Sequence, residues 1–95
     1  MMINVLVAED EPLILNSITK LIHSLDSDFI VCARAKNGLE VLQCLNSQPI
    51  NIIFTDIKMP LLNGLDLIQE IRNRSLNVPI VILSGYNDFS YAKKA

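Results

Sequence analysis

Apolar and polar positions fall along this chain in two alternating patterns. Short continuous apolar runs, of the kind expected in strands buried on both faces, occur at Ile3–Ala8, Phe29–Ala35, 50–55 and Ile80–Leu83. Between them, apolar residues recur at helical steps. Ile14, Ile18, Leu21, Ile22 and Leu25 form one stripe, Val41, Leu42 and Leu45 a second, and Leu67, Ile68 and Ile71 a third. Pro12 suits a first helical turn with Asp10 or Glu11 as its cap. Asn37-Gly38 opens the next helix and Pro49 closes it, Gly64 opens the third, and Asn87-Asp88 caps a last helix that runs to Ala95.

The predicted order is therefore strand and helix in strict alternation, four times over. Right-handed crossovers turn such an order into a parallel sheet with helices on both faces. Sites in sheets of this kind lie beyond the carboxyl ends of the strands, where strand order reverses. Glu9, Asp10, Asp56 and Ser84 all stand at such ends.

Composition narrows the class without naming a chemistry. The chain has 95 residues, 51% of them apolar, and a net charge of −2, with acids and bases mixed along it. That is one small globular domain, with no basic patch for direct binding of nucleic acid or an anionic membrane. No apolar run is long enough to span a bilayer, and the N-terminus lacks a basic start before Glu9-Asp10-Glu11, unlike a signal peptide. The expected location is cytoplasmic, with Cys32 and Cys44 as reduced thiols.

The acids carry the chemistry. Carboxylates gathered within about 5 Å repel by roughly 3 kcal/mol per pair at an effective dielectric near 20. Such a cluster persists by parting, by taking up protons or by binding a cation. Mg2+ fits an all-oxygen set shared with a phosphate. Asp56, ending its strand, is placed to act as a nucleophile and form an aspartyl phosphate, with Ser84 donating its hydroxyl to the phosphoryl group and Gly85 leaving room for it. Taken singly, Glu9, Asp10 and Glu11 could be helix caps, Asp56 a turn former and Ser84 a strand-end hydroxyl. Their joint placement at strand ends favours a site.

Val5-Leu6-Val7-Ala8-Glu9-Asp10-Glu11-Pro12, Ala35-Lys36-Asn37-Gly38-Leu39-Glu40, Thr55-Asp56-Ile57-Lys58-Met59-Pro60, Asn63-Gly64 and Val78-Pro79-Ile80-Val81-Ile82-Leu83-Ser84-Gly85 are in the order and spacing of one family. Together they resemble the receiver domain of bacterial two-component response regulators. The resemblance implies an α/β, flavodoxin-like doubly wound parallel sheet of order 2-1-3-4, with residues 1–95 forming one receiver domain. It implies that Asp56 accepts a phosphoryl group from a sensor histidine kinase or a small phosphodonor, as a switch rather than a turnover enzyme. Mg2+ would be held by Asp10, Asp56 and the backbone carbonyl of Lys58, with Glu9 acting through water and Ser84 as the switch hydroxyl. The tail 85–95 resembles receivers that precede AraC-type DNA-binding domains, so control of DNA would pass through an output domain outside this chain.

Two departures from the family pattern shape the expectations. Glu9 stands where many members carry Asp, moving the charge out by about one bond. The family also places a Lys-Pro after a fifth strand, and an aromatic switch residue within that strand. Lys93 and Lys94 follow the fourth strand directly and do not match that position. The expectation is a domain incomplete at its C-terminus, stopped before the fifth strand and helix, that binds Mg2+ but is phosphorylated weakly. An open fourth-strand edge would then invite a homodimer or a strand-exchanged dimer. The alternative is an interaction or dimerisation module that is not productively phosphorylated. A phosphatase with an aspartate nucleophile would want an acid two residues after Asp56, where Lys58 stands, and no Gly-x-Gly-x-x-Gly follows the first strand for a dinucleotide.

Overall fold

The computed structural model describes residues 2–74 and 76–83. Strands β1 (Ile3–Ala8), β2 (Phe29–Ala35), β3 (Ile52–Asp56) and β4 (Ile80–Leu83) alternate with helices α1 (Pro12–Leu25), α2 (Gly38–Ser47) and α3 (Gly64–Asn73). The strands form one parallel sheet of order β2-β1-β3-β4. The order reverses between β1 and β3, so the crevice beyond their carboxyl ends is where a ligand site is expected.

Two apolar layers sandwich the sheet. On one face Leu6, Ala8, Ala33, Ala35 and Ile53 pack against Val41 and Leu42 of α2 and Leu67 and Ile71 of α3. On the other, Val5 and Val7 pack against Leu15 and Ile22 of α1. Burial on both faces explains why β1 reads as an unbroken apolar run: Val5, Leu6, Val7 and Ala8 are all fully buried.

The α1 stripe corrects the sequence reading. Ile14, Leu21 and Leu25 are 40%, 59% and 62% exposed, and the buried face is Leu15, Thr19 and Ile22, with Ile18 beside it. Steps of four and three define that face as well as the expected one, and it includes a threonine that a search for apolar residues passes over. Burial of Thr19 is tolerated because its hydroxyl donates to the Leu15 carbonyl at 2.8 Å. Glu11 does sit at the N-cap of α1, but its side chain makes no cap bond. Asn37 and Asn63 cap α2 and α3 by accepting from the N–H groups of Glu40 and Asp66.

Strand β3 begins at Ile52, two residues later than expected. Asn51 is engaged instead in a clasp with Asn4, whose N–H donates to Asn51 Oδ1 at 2.7 Å while the Asn51 N–H donates to the Asn4 carbonyl at 2.8 Å. The clasp sets the register of β1 against β3, pairing Ala8 with Thr55 at the opposite end. Cys32 occupies an irregularity in the β1–β2 pairing between Val5 and Leu6, and Cys32 and Cys44 are free thiols. The predicted Ser84, the last helix and the tail 85–95 lie outside the described residues, as does the β4 edge expectation that depends on them. No described helix is long and apolar enough to cross a membrane.

Candidate metal and phosphoacceptor site

Register alone brings the acids together. β1 and β3 are adjacent and paired up to Ala8 and Thr55, so the residues that follow, Glu9 and Asp56, emerge side by side at the same edge. The Glu9 N–H donates to the Ala35 carbonyl at 2.9 Å, carrying the β1–β2 ladder one residue past the strand and fixing where Glu9 begins. One carboxylate oxygen each from Glu9, Asp10 and Asp56 lies within 4.8 Å of the other two. Glu9 and Asp56 are buried, at 4% and 6% exposed, while Asp10 faces solvent.

These acids are electrostatically uncomfortable together. Burial pushes the Glu9 carboxyl up from 4.5 to about 7, aided by the charge of Asp56, a hydrogen bond with the Asp56 side chain and the charge of Asp10. The Glu11 N–H, donating to Glu9 Oε1 at 3.2 Å, opposes the shift without cancelling it. A group held this way is either protonated or compensated by a cation near neutral pH.

The donor set suits Mg2+. Two oxygens on one Mg2+ at ~2.1 Å can stand no more than about 4.2 Å apart. Oxygens within 4.8 Å therefore reach one ion with a small inward movement, or with one carboxylate bound through water. Lys58 lines the same cleft as Asp10, Met59 and Pro60, a cavity of about 580 Å³ at the end of the sheet.

The loop between β3 and α3 is held tightly. The Gly64 N–H donates to the Ile57 carbonyl at 2.8 Å, and the Gly38 N–H at the start of α2 donates to the Leu62 carbonyl at 3.1 Å. A Cβ on Gly64 would collide with the backbone carbonyl of Asp56, so only glycine permits this approach. Between these anchors, the Leu62 N–H donates back to the Pro60 carbonyl at 2.8 Å around Leu61, whose φ is 68°. That is a γ-turn with positive φ, the strained form of the two. Met59, 8% exposed, pins the loop into the core below.

Glu9, Asp10 and Asp56, expected from the sequence to share a site, are clustered in the structure. Lys58, expected to contribute its backbone carbonyl, lines the cleft beside them, and Ser84 lies outside the described residues. The backbone that holds Asp56 is not among those expectations. The Ile57 N–H donates to Asp56 Oδ1 at 2.8 Å, and the buried Thr55 hydroxyl donates to the Asp56 carbonyl at 3.0 Å. Of these, only the hydroxyl type of residue 55 in an otherwise apolar strand was visible beforehand.

This architecture defines a doubly wound domain with an acidic pocket at its switch point. Residues 5–95 match the response regulator receiver domain family, and the chain belongs to it. Among curated relatives, it is 36% identical over 92 residues to the transcriptional regulatory protein HptR of Staphylococcus aureus, covering 97% of this chain and 36% of that protein. It is 34% identical over 94 residues to the uncharacterized transcriptional regulatory protein YesN of Bacillus subtilis, covering 99% of this chain and 26% of that one. The chain thus spans about a third or less of these relatives' length. Among solved structures, the REC domain of AraT, a response regulator from Geobacillus stearothermophilus, superposes with a TM-score of 0.83 at 33% identity, covering 100% of this chain and 74% of that one. Phosphorylation on Asp and Mg2+ dependence are general features of the family.

Proposed function

We propose that Asp56 is the phosphoacceptor of this receiver domain, working with Mg2+ held by Asp10, Asp56 and the Lys58 carbonyl, and with Glu9 acting through a bound water. The observation that carries this reading is the convergence of Glu9, Asp10 and Asp56 oxygens within 4.8 Å at the β1/β3 edge. When bound there, the cation neutralises charge on the phosphoryl oxygens and holds them in line. An Asp56 oxygen attacks phosphorus, the bond from phosphorus to the donor breaks, and its electron pair leaves with the donor. The donor is a phosphohistidine of a sensor kinase or a small acyl phosphate, and the product is an acyl phosphate on Asp56.

Ser84 is assigned as the hydroxyl that receives the new phosphoryl group; it follows Leu83, which pairs with Asp56. The domain is a switch that transfers a phosphoryl group only to itself, and phosphorylation biases two conformations that already exist. Its output is transcription, exerted through a DNA-binding domain elsewhere in the protein, a reading supported by the names of HptR and YesN. The cytoplasm, where its kinase and DNA would be, is the assigned compartment.

Incubation with acetyl phosphate, with Mg2+ or with EDTA, tests the reading. Label is expected in the presence of Mg2+, absent in EDTA and absent from Asp56→Asn. Label that persists in Asp56→Asn rules out Asp56 as acceptor.

A further inference from the structure

The peptide group joining Asp56 to Ile57 is engaged at both ends. Its N–H, from Ile57, donates to Asp56 Oδ1 at 2.8 Å and so helps to set the direction of the carboxylate. Its carbonyl, from Asp56, accepts the Thr55 hydroxyl at 3.0 Å. Thr55 is fully buried in the face of the sheet that α2 and α3 cover, and this is the bond its hydroxyl donates there. The same carbonyl faces Gly64, where a Cβ would collide with it, so the peptide plane is confined from the α3 side as well.

We propose that Thr55 is a positioning residue for Asp56, acting through this single peptide group. A hydroxyl bonded to the carbonyl fixes the tilt of the plane, and with it the aim of the Ile57 N–H. Donation to the carbonyl oxygen also polarises the amide, which makes its N–H a better donor to the carboxylate. With Oδ1 fixed, the other carboxylate oxygen is held in one orientation too, because both oxygens share one planar carbon, in a group whose oxygens approach Glu9 and Asp10 to within 4.8 Å. Valine would fill nearly the same buried volume with an apolar methyl, leaving the Asp56 carbonyl without this donor. The hydroxyl serves the acceptor.

The inference rests on Asp56 being the acceptor, and the test separates the two claims. Thr55→Val and Thr55→Ser are compared with the unaltered protein in three measurements: thermal melting, the acetyl phosphate labelling rate at saturating Mg2+, and the amide resonance of Ile57. Val keeps nearly the same volume and loses the hydroxyl, so it is expected to melt somewhat lower but fold, and, well below its melting temperature, to label about five-fold more slowly, the factor for one ordinary hydrogen bond. Its Ile57 amide proton is expected to move upfield and to exchange with solvent about ten-fold faster. Ser keeps the hydroxyl and loses a buried methyl, so it is expected to melt lower yet label at the original rate with the Ile57 amide unmoved.

A residue that only packed would give the reverse order, with Ser impaired and Val normal. A Val variant that labels at the original rate, or whose Ile57 amide is unchanged, overturns the proposal. If the unaltered protein takes no label, the acceptor assignment of Asp56 fails, and the Ile57 resonance alone then decides whether Thr55 holds that carboxylate.

Discussion

Raising the pH of the divalent-free protein from 4.5 to 8 is expected to remove about 3 kcal/mol of stability through one group, Glu9. Its carboxyl titrates near 7 in the fold against 4.5 ordinarily, because burial and the neighbouring Asp56 and Asp10 disfavour its charge. Between those values the folded chain binds a proton that the unfolded chain has released, so stability falls as pH rises. The contribution is fully present below about 4.5 and is lost by the time pH has passed through 7. The difference of 2.5 pKa units, at about 1.4 kcal/mol each, gives the magnitude. That is a large share of the roughly 5–15 kcal/mol that holds a typical domain together. The measurement is urea unfolding in EDTA at a series of pH values, for the unaltered protein and Glu9→Gln. Gln mimics the protonated form, so its slope between pH 4.5 and 7 is expected to be flatter by the full amount. Added Mg2+ at pH 7.5 is expected to restore stability to the unaltered protein. Parallel pH profiles for the two proteins would refute the placement of Glu9 in a crowded acidic pocket.

Three further outcomes follow from the same geometry. Asp56→Asn removes one charge from oxygens within 4.8 Å of each other and is expected to stabilise the divalent-free fold by ~1–3 kcal/mol, while abolishing the rise in melting temperature that Mg2+ gives the unaltered protein. Differential scanning calorimetry with and without Mg2+ reads both effects, and a preserved Mg2+ shift would count against Asp56 as a ligand. Leu61→Gly is expected to raise stability by about 1 kcal/mol, because the side chain is 77% exposed and its φ of 68° favours glycine; an unchanged or lower denaturation midpoint would show that the γ-turn is not strained. Gly64→Ala places a methyl against the Asp56 carbonyl and is expected to destabilise by several kcal/mol, about 3 or more, and to stop labelling. A variant that folds normally and labels normally would show that this approach is not needed.

Much of this arrangement was legible in the residues themselves. The runs Ile3–Ala8, Phe29–Ala35 and Ile80–Leu83 match strands β1, β2 and β4 at both ends. Each is a dense apolar run bounded by polar or turn-forming residues, which leaves little freedom for its limits. The acids at the ends of β1 and β3 could be seen to converge because a parallel sheet leaves neighbouring strand ends no other place to go. The bounds of β3 and the face of α1 were less legible, for different reasons. Ile50 continues the apolar run but lies outside the strand, because Asn51 pairs sideways with Asn4. In α1 several apolar stripes compete, and the sheet chooses the one that carries Leu15 and Ile22. Thr55 and Ile57 were illegible as site residues because their part is played through one peptide group, whose orientation no residue type announces.

The most direct measurement is the chemical location of the phosphoryl group. The protein is treated with acetyl phosphate and Mg2+, the acyl phosphate is trapped by borohydride reduction, and the peptides are sequenced by mass spectrometry. One modified residue, Asp56, is expected, with none modified when Mg2+ is withheld. Modification at Asp10, at Glu9 or at a residue away from the β1/β3 edge, with Asp56 intact, would contradict it.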